Sequence, residues 1–343
     1  GAYITDTTMS NRFVYRENVD RAYIIYSGTA GKFDVEAGLS AELTHSTGTS
    51  QNIGGDIKEI NHYNYFNLFP NVLLTYHYND KQDFTLSVSR GILRPAYENL
   101  NPFLYYIDPY NYQQGNSSLK PEYSNTIKLT HNYNQTIETS LYANLETNTN
   151  FTYYRQNDSS KLNLTTVLNL GRVYSYGAEV NAAFKINKWW NAQFDADASY
   201  QRYTVYKQIG TFNKSTGSLI LTTTQNFAIG KVISAAIDGR YQSASLEGIR
   251  QFRDNYSVNT GISAQVLQKK GRLSFTVTDI FNTDRGRASV NYQNINLYIV
   301  DKRETRIARL SFTYRFGKTS VKAEARHSTG NEDEQSRMRK ASN

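Results

Sequence analysis

The 343-residue chain contains no cysteine. That excludes disulfides, thiolate metal sites and cysteine nucleophiles. No segment approaches the roughly 18 consecutive apolar residues of a membrane-crossing helix. The five histidines stand at 45, 62, 77, 131 and 327, and none has metal-ligand spacing to another histidine or to carboxylates. There is no G-x-S-x-G elbow, phosphate-binding loop or dinucleotide fingerprint. His62 with Asp56 and Glu59, and the pair Asp195 and Asp197, are the nearest approaches to acid–base groupings. The first reads more simply as a solvated loop, the second as the wet face of a strand. An enzyme, a metal site and a bound cofactor are therefore not expected.

Charge of one sign is not concentrated either. Lys and Arg total 38 against 30 Asp and Glu, a net +8, but the basic residues are scattered. No basic stripe appears before the last ~25 residues, so nucleic-acid binding is not expected. Gly1-Ala2-Tyr3 lacks the basic and apolar regions of a secretory signal, which points to a mature chain or a fragment.

What the chain does have is 28 Tyr, 16 Phe and 34 Asn, with only five Pro. Tyr suits half-buried strands and Asn suits turns. The period-2 template fits nearly everywhere and the helical one poorly. From 190 to 201, Ala192, Phe194, Ala196, Ala198 and Tyr200 alternate with Gln193, Asp195, Asp197, Ser199 and Gln201. Segments of this kind lie near 19–29, 32–46, 69–78, 82–94, 122–133, 136–155, 163–186, 190–205, 216–229, 231–245, 254–268, 271–281 and 303–316. Several exceed the ~5–6 residues usual in soluble sheets and match the ~9–11 of a tilted membrane-crossing strand.

The connections alternate too. Short turns such as Gly31-Lys32, Asn134-Gln135 and Gly230-Lys231 are interleaved with long Asn- and Tyr-rich loops near 47–68, 95–121, 156–162, 206–215, 246–253 and 282–302. Short turns at one end and long loops at the other are the layout of an outer-membrane barrel. One strand face is wet and the other apolar, with Tyr and Trp near strand ends where membrane interfaces lie. Trp189-Trp190 follows a short turn, the place of a periplasmic aromatic girdle. The expected fold is all-β: a transmembrane antiparallel up-and-down β-barrel with about thirteen strands present. Residues 1–18 are assigned to the end of an extracellular loop or the start of a strand, 19–317 to the barrel, and 318–343 to a polar, disordered periplasmic tail. Thirteen is odd, whereas bacterial single-chain barrels have even counts, so part of a larger barrel is expected.

The run Arg94-Pro95-Ala96-Tyr97-Glu98-Asn99-Leu100-Asn101-Pro102-Phe103 continues through Tyr105-Tyr106-Ile107-Asp108-Pro109-Tyr110 to Gly115-Asn116-Ser117-Ser118-Leu119-Lys120-Pro121-Glu122-Tyr123. It resembles the RPxYxxLNPF…DPY…GNxxLKPE run of the outer-membrane β-barrel family related to TonB-dependent receptors. Asn169-Leu170-Gly171, Tyr176-Gly177-Ala178-Glu179 and Asp279-Ile280-Phe281-Asn282 are similar to further family pieces. The resemblance implies a 22-stranded barrel in the outer membrane of a Gram-negative bacterium, with a plug upstream that contacts the TonB complex. It implies uptake of a small-molecule, glycan or peptide substrate bound at extracellular loops and lumen. A passive porin-like channel, or a structural barrel binding a surface lipoprotein or secreted partner, stays open.

Within the run, Arg94, Pro95, Asn101, Pro102, Phe103, Pro109, Lys120, Pro121 and Glu122 read chiefly as organisers of a loop. Tyr105, Tyr106, Tyr110 and Tyr112 are the candidates for substrate contact, since rigid aromatics give contact area at small entropic loss. Phe312, Tyr314 and Phe316 close the last strand with alternating aromatics. These resemble the signal read by the barrel-assembly machinery, and outer-membrane lipid is the remaining expected partner.

Overall fold

A computed structural model of the chain describes residues 11–52, 57–205, 212–316 and 336–337. The alternating segments become β1 (Asn11–Ala30), β2 (Phe33–Asn52), β3 (Ile57–Asn79) and β4 (Gln82–Leu93), followed by one helical turn, α1 (Tyr97–Leu100). Next come β5 (Leu104–Tyr106), β6 (Asn111–Gln114), β7 (Glu122–Tyr133), β8 (Ile137–Asn157), β9 (Leu162–Lys185) and β10 (Trp190–Val205). The remainder are β11 (Phe212–Ile229), β12 (Ile233–Gln242), β13 (Ser245–Glu247), β14 (Arg250–Phe252), β15 (Asn255–Val266), β16 (Gly271–Val277), β17 (Gly286–Tyr292), β18 (Ile295–Asp301) and β19 (Ala308–Tyr314).

Thirteen of these form one antiparallel wall in the order β1-β2-β3-β4-β7-β8-β9-β10-β11-β12-β15-β16-β19. The alternation thus identified every wall strand. Among the described residues, β1 pairs with β2 alone and β19 with β16 alone, leaving both outer edges open. The tight turns share one end of the wall. Gly31 supplies a φ of +61° between the paired Ala30 and Phe33, which suits the first position of a two-residue hairpin turn.

Register sorts the two faces. Phe194 lies opposite Ala182 and Thr223, and Leu221 opposite Ala196 and Tyr241. Tyr241 faces Tyr256, and Leu273 faces Phe312. Phe194, Tyr200, Leu221, Tyr241, Tyr256, Leu273 and Phe312 are all exposed, on a face against which nothing among the described residues packs. At the turn end this face carries stacked Trp189, Trp190 and Phe227, with ring centroids 5.9–6.2 Å apart. Tyr200, ten positions above Trp190, and the paired Tyr241 and Tyr256 are exposed aromatics higher on the same face. That spacing matches the ~9–11 residues a tilted strand uses to cross a bilayer. The opposite face bears Ser, Thr, Asn, Asp and Glu.

The strands do not stop at these upper aromatics. β8 has 21 residues and β9 has 24, about twice a membrane crossing. Here two expectations need correcting. Most of 47–68 is strand, not loop, because β2 runs to Asn52 and β3 starts at Ile57. Above the membrane both faces meet water or protein, so nothing enforces the alternation that marks the lower halves. β1 likewise begins at Asn11 rather than near residue 19. β3 pairs with β4 only from Asn71 downward. At Pro70, which still faces Leu39 of β2, there is no amide hydrogen to donate. Above it β3 continues with β2 alone.

The segments 246–253 and 282–302 also carry hairpins. β13, β14, β17 and β18 join into a second sheet of four strands. Leu246, Ile249, Val290 and Ile295 from it pack against Phe151, Leu170, Val173, Tyr203 and Val205 of the upper wall. Val290 is wholly buried. At roughly 1.5–3 kcal/mol for each large aliphatic side chain fully buried, this cluster ties the outer loops to the inner face of β8, β9 and β10. Of the 318–343 tail, only Ser336 and Arg337 lie among the described residues.

Candidate functional site: the outer vestibule

The inner face above the membrane band is where polar groups, cavities and loops converge. The 94–121 connection is its organiser. Arg94 follows β4 and turns inward. Its guanidinium donates to the Glu42 carboxylate and lies 3.9 Å from that of Glu17. Glu42 has no exposed surface, and Arg21 donates to it through Nε at 3.0 Å and Nη2 at 2.7 Å. One buried carboxylate therefore joins β1, β2 and the start of the loop. Arg337 adds a third cation. It pairs with Glu17, donates to the Pro95 carbonyl at 3.2 Å and lies 4.4 Å over the Tyr97 ring. This point of the tail is on the loop side of the wall.

The rest of the run fixes the backbone. Asn101 Oδ1 accepts from the Phe103 amide at 3.2 Å, and Gln114 Nε2 donates to the Pro102 carbonyl at 2.8 Å. A Cβ on Gly115 would sit 2.3 Å from the Asn101 carbonyl oxygen, so no other residue fits there. Lys120 is clamped by Asn169, which accepts from its amide at 2.8 Å and donates to its carbonyl at 2.9 Å. Asp108, just before Pro109, accepts from the Tyr110 and Asn111 amides at 2.8 and 2.9 Å. The Asn111 side chain, which donates to Asp108 at 2.8 Å, together with those amides holds the Asp108 carboxyl below its ordinary value. Leu100 and Leu119 are buried beneath the loop.

Between this loop and the upper half of β3 lies a cavity of about 310 Å³, lined by Tyr15, Glu17, Tyr63, Tyr65, Lys120, Tyr123 and their neighbours. Burial pushes the Tyr15 hydroxyl up to about 12 and raises that of Tyr65. Both stay neutral hydrogen-bond donors throughout the physiological range. Glu122 opens β7 one residue before Tyr123, whose ring carries the Arg90 guanidinium at 5.1 Å. Burial, opposed by hydrogen bonds to Asn150 and reinforced by the Glu146 carboxylate, pushes the Glu122 carboxyl up to about 7.

A second cavity, of about 510 Å³, lies under the four-stranded sheet and against the inner face of β10. Tyr203 spans its wall, with its hydroxyl 2.5 Å from the Leu246 carbonyl and 2.9 Å from Gln201 Oε1.

The four tyrosines singled out for substrate contact sit elsewhere. Tyr105 and Tyr106 lie on β5, Tyr112 on β6, and Tyr110 in the turn between them. This hairpin extends the wall by parallel pairing of β6 with β9 at Asn111–Asn163. Tyr106 and Tyr112 are in ring contact at 5.9 Å, and Tyr105, Tyr106 and Tyr110 are exposed. None of the four lines either cavity. Phe312 and Tyr314 point outward on β19, and Phe316 follows it, exposed. Sequence reasoning missed Tyr15, Glu17, Glu42, Tyr65, Tyr203 and Arg337. An acid at the centre of an apolar-alternating strand, as Glu42 is in β2, was the available signal.

The sequence profile of the outer membrane protein beta-barrel family matches residues 1–314, and the chain belongs to that family. Its place is the outer membrane of a Gram-negative cell. Three solved structures share the fold. The FrpB iron transporter from Neisseria meningitidis is 15% identical, with a TM-score of 0.59 over 88% of this chain and 45% of that one. The ferric yersiniabactin uptake receptor FyuA from Yersinia pestis is 12% identical, with a TM-score of 0.61 over 90% and 47%. The ferric-catecholate import receptor Fiu from E. coli K12 is 14% identical, with a TM-score of 0.63 over 89% and 45%. The chain thus spans less than half the length of these structures. No curated protein sequence matches it.

Proposed function

We propose that this wall is part of the barrel of a TonB-dependent receptor, which captures a scarce substrate at its outer vestibule and passes it inward through a gated lumen. The observation that carries the reading is the tall inner wall. A polar face crosses the membrane and opens above it into two aromatic-lined clefts, the first of them beside the buried Arg94–Glu42 pair. Such cavities suit binding, and nothing in their chemistry requires bond breaking. The open edges of β1 and β19 would pair with further strands to close a barrel of 22, and a plug would fill the lumen and link to TonB. The exposed hairpin with Tyr105, Tyr106, Tyr110 and Tyr112 would make first contact with substrate. Phe312, Tyr314 and Phe316 would be read during assembly.

The test is uptake in the native cell. Deleting the gene should abolish growth on one nutrient, and removing TonB function should reproduce that loss. The complete gene product, refolded into planar bilayers, should conduct little. A large ungated conductance together with TonB-independent growth would replace this reading by a passive porin.

A further inference from the structure

We infer that the outward face of the wall, just above its apolar band, binds phosphate groups of the glycolipid of the outer leaflet. The inference rests on the place of the chain in the outer membrane and not on transport.

Register separates the charges of the wall by face. β1 turns Arg12, Arg16 and Asp20 to the lipid side with Ile24, and β2 turns Leu39 and Leu43 the same way. Arg172 and Arg202 share the face of Tyr176 and Tyr200. Both are exposed, whereas their neighbours Val173 and Tyr203 are buried in the inner cluster. Arg90 has the parity of the exposed Leu86 and Val88. Among the described strand residues of that face, Asp20 is the only acid. Glu42, Glu179, Asp195, Asp197 and Asp238 face the lumen instead.

The arginines also share a depth. Arg202 is two residues beyond Tyr200, and Arg172 four beyond Tyr176. Thr47, the partner of Arg16, lies four beyond Leu43 on β2. At ~3.3 Å per residue these steps are ~7–13 Å along the strand, where polar headgroups begin. The long arginine stem adapts to that boundary.

The site is best formed on β1 and β2. Arg12 and Arg16 flank a cleft of about 240 Å³ floored by Val14, Thr47, Thr49 and Gln51. Both arginines are exposed. The two acids of β1 do not neutralise them. Glu17 turns inward to Arg94 and Arg337, and Asp20 accepts from Asn18 at 3.1 Å. Neither arginine has a carboxylate partner among the described residues. Thr47 is in contact with His62 Nδ1 at 3.1 Å, while Thr49 and Gln51 offer a hydroxyl and a carboxamide. A phosphate carries negative charge and acceptor oxygens, which the guanidinium fork matches. Basic clusters at headgroup depth are the usual readers of anionic lipid. The apolar surface directly below, with Ile24, Leu39 and Leu43, packs acyl chains, which a free anion lacks.

The experiment is native mass spectrometry of the complete gene product in detergent. The probes are lipid A with two phosphates, the same lipid dephosphorylated, phosphatidylglycerol and inorganic phosphate. The diphosphorylated lipid A should be retained in preference to the other three. Arg12→Gln/Arg16→Gln should weaken its retention about thirtyfold, as the loss of two such contacts implies. Arg309→Gln, on the lumen face of β19, should leave it unchanged. Heat-modifiable gel mobility reports an intact barrel. Equal retention of the dephosphorylated lipid by the unaltered protein overturns the proposal, as does equal retention of phosphatidylglycerol. Adducts with inorganic phosphate alone, or retention unchanged in the double variant, do so too. Lipid A preference with TonB-independent growth keeps this inference and sinks the receptor reading. TonB-dependent growth without that preference does the reverse.

Discussion

Glu42 shows how one residue can hold an outer loop in place. It is a fully buried carboxylate, and Arg94 and Arg21 are its counter-charges. Breaking a buried pair strands a charge in low dielectric and typically costs about 3–5 kcal/mol. Arg94→Ala should therefore lower unfolding stability in detergent by about that amount, measured by urea titration. Arg94→Lys should recover only part of it, because an ammonium lacks the fork that spans Glu42 and Glu17. A loss under 1 kcal/mol would show that the network relaxes around the gap. Glu122 gives a pH prediction. Its folded value of about 7 lies above the ordinary 4.5, so the folded state binds the proton more tightly. The associated stability is complete below about 4.5 and lost as pH rises through about 7. Melting midpoints should fall across that window, and Glu122→Gln should flatten the fall. An unchanged slope in the variant would assign the effect to another group.

Among the elements, the lower wall was readable and the outer one was not. Lipid on one side and water on the other impose a period of two from Trp190 to Tyr200. Above that level no such contrast exists, which is why 57–68 reads as loop from sequence. β17 is a different case. Ala288, Val290 and Tyr292 alternate with Arg287, Ser289 and Asn291, a strand pattern passed over because it falls inside a long connection. The candidate site divided the same way. The local turn chemistry of Asn101, Pro102 and Lys120 could be read from neighbours in sequence. The partnership of Arg94 with Glu42 spans 52 positions and needs the fold. Two elements invite direct tests. Asp279 accepts from Thr283 N at 2.9 Å, Asp284 N at 3.1 Å and Thr305 Oγ1 at 2.5 Å, tying both ends of the β16–β19 connection. Asp279→Ala should expose 280–307 to protease on whole cells while the barrel keeps its heat-modifiable mobility. At Gly171 a Cβ would lie 1.9 Å from the Thr204 carbonyl oxygen. Gly171→Val should part β9 from β10 and sharply reduce the assembled protein in the outer membrane, seen by immunoblot of membrane fractions.

At the scale of the whole molecule, the outer sheet is anchored mainly by apolar packing on the wall. Val290→Ala should leave a cavity in that cluster and cost about 1–3 kcal/mol, read as earlier release of 286–301 to protease upon warming. Release at the wild-type temperature would mean that hydrogen bonds alone hold the sheet. The height of the wall has a further consequence. β9, at ~3.3 Å per residue over 24 residues, is long enough to carry the mouth ~25 Å beyond the headgroups after a tilted crossing of ~9–11 residues. Ionic screening at physiological salt decays over about 8 Å. The mouth is thus electrically decoupled from the charged membrane surface, and an approaching solute responds to the protein's own field alone. Capture rates should then be indifferent to the charge of the surrounding lipid.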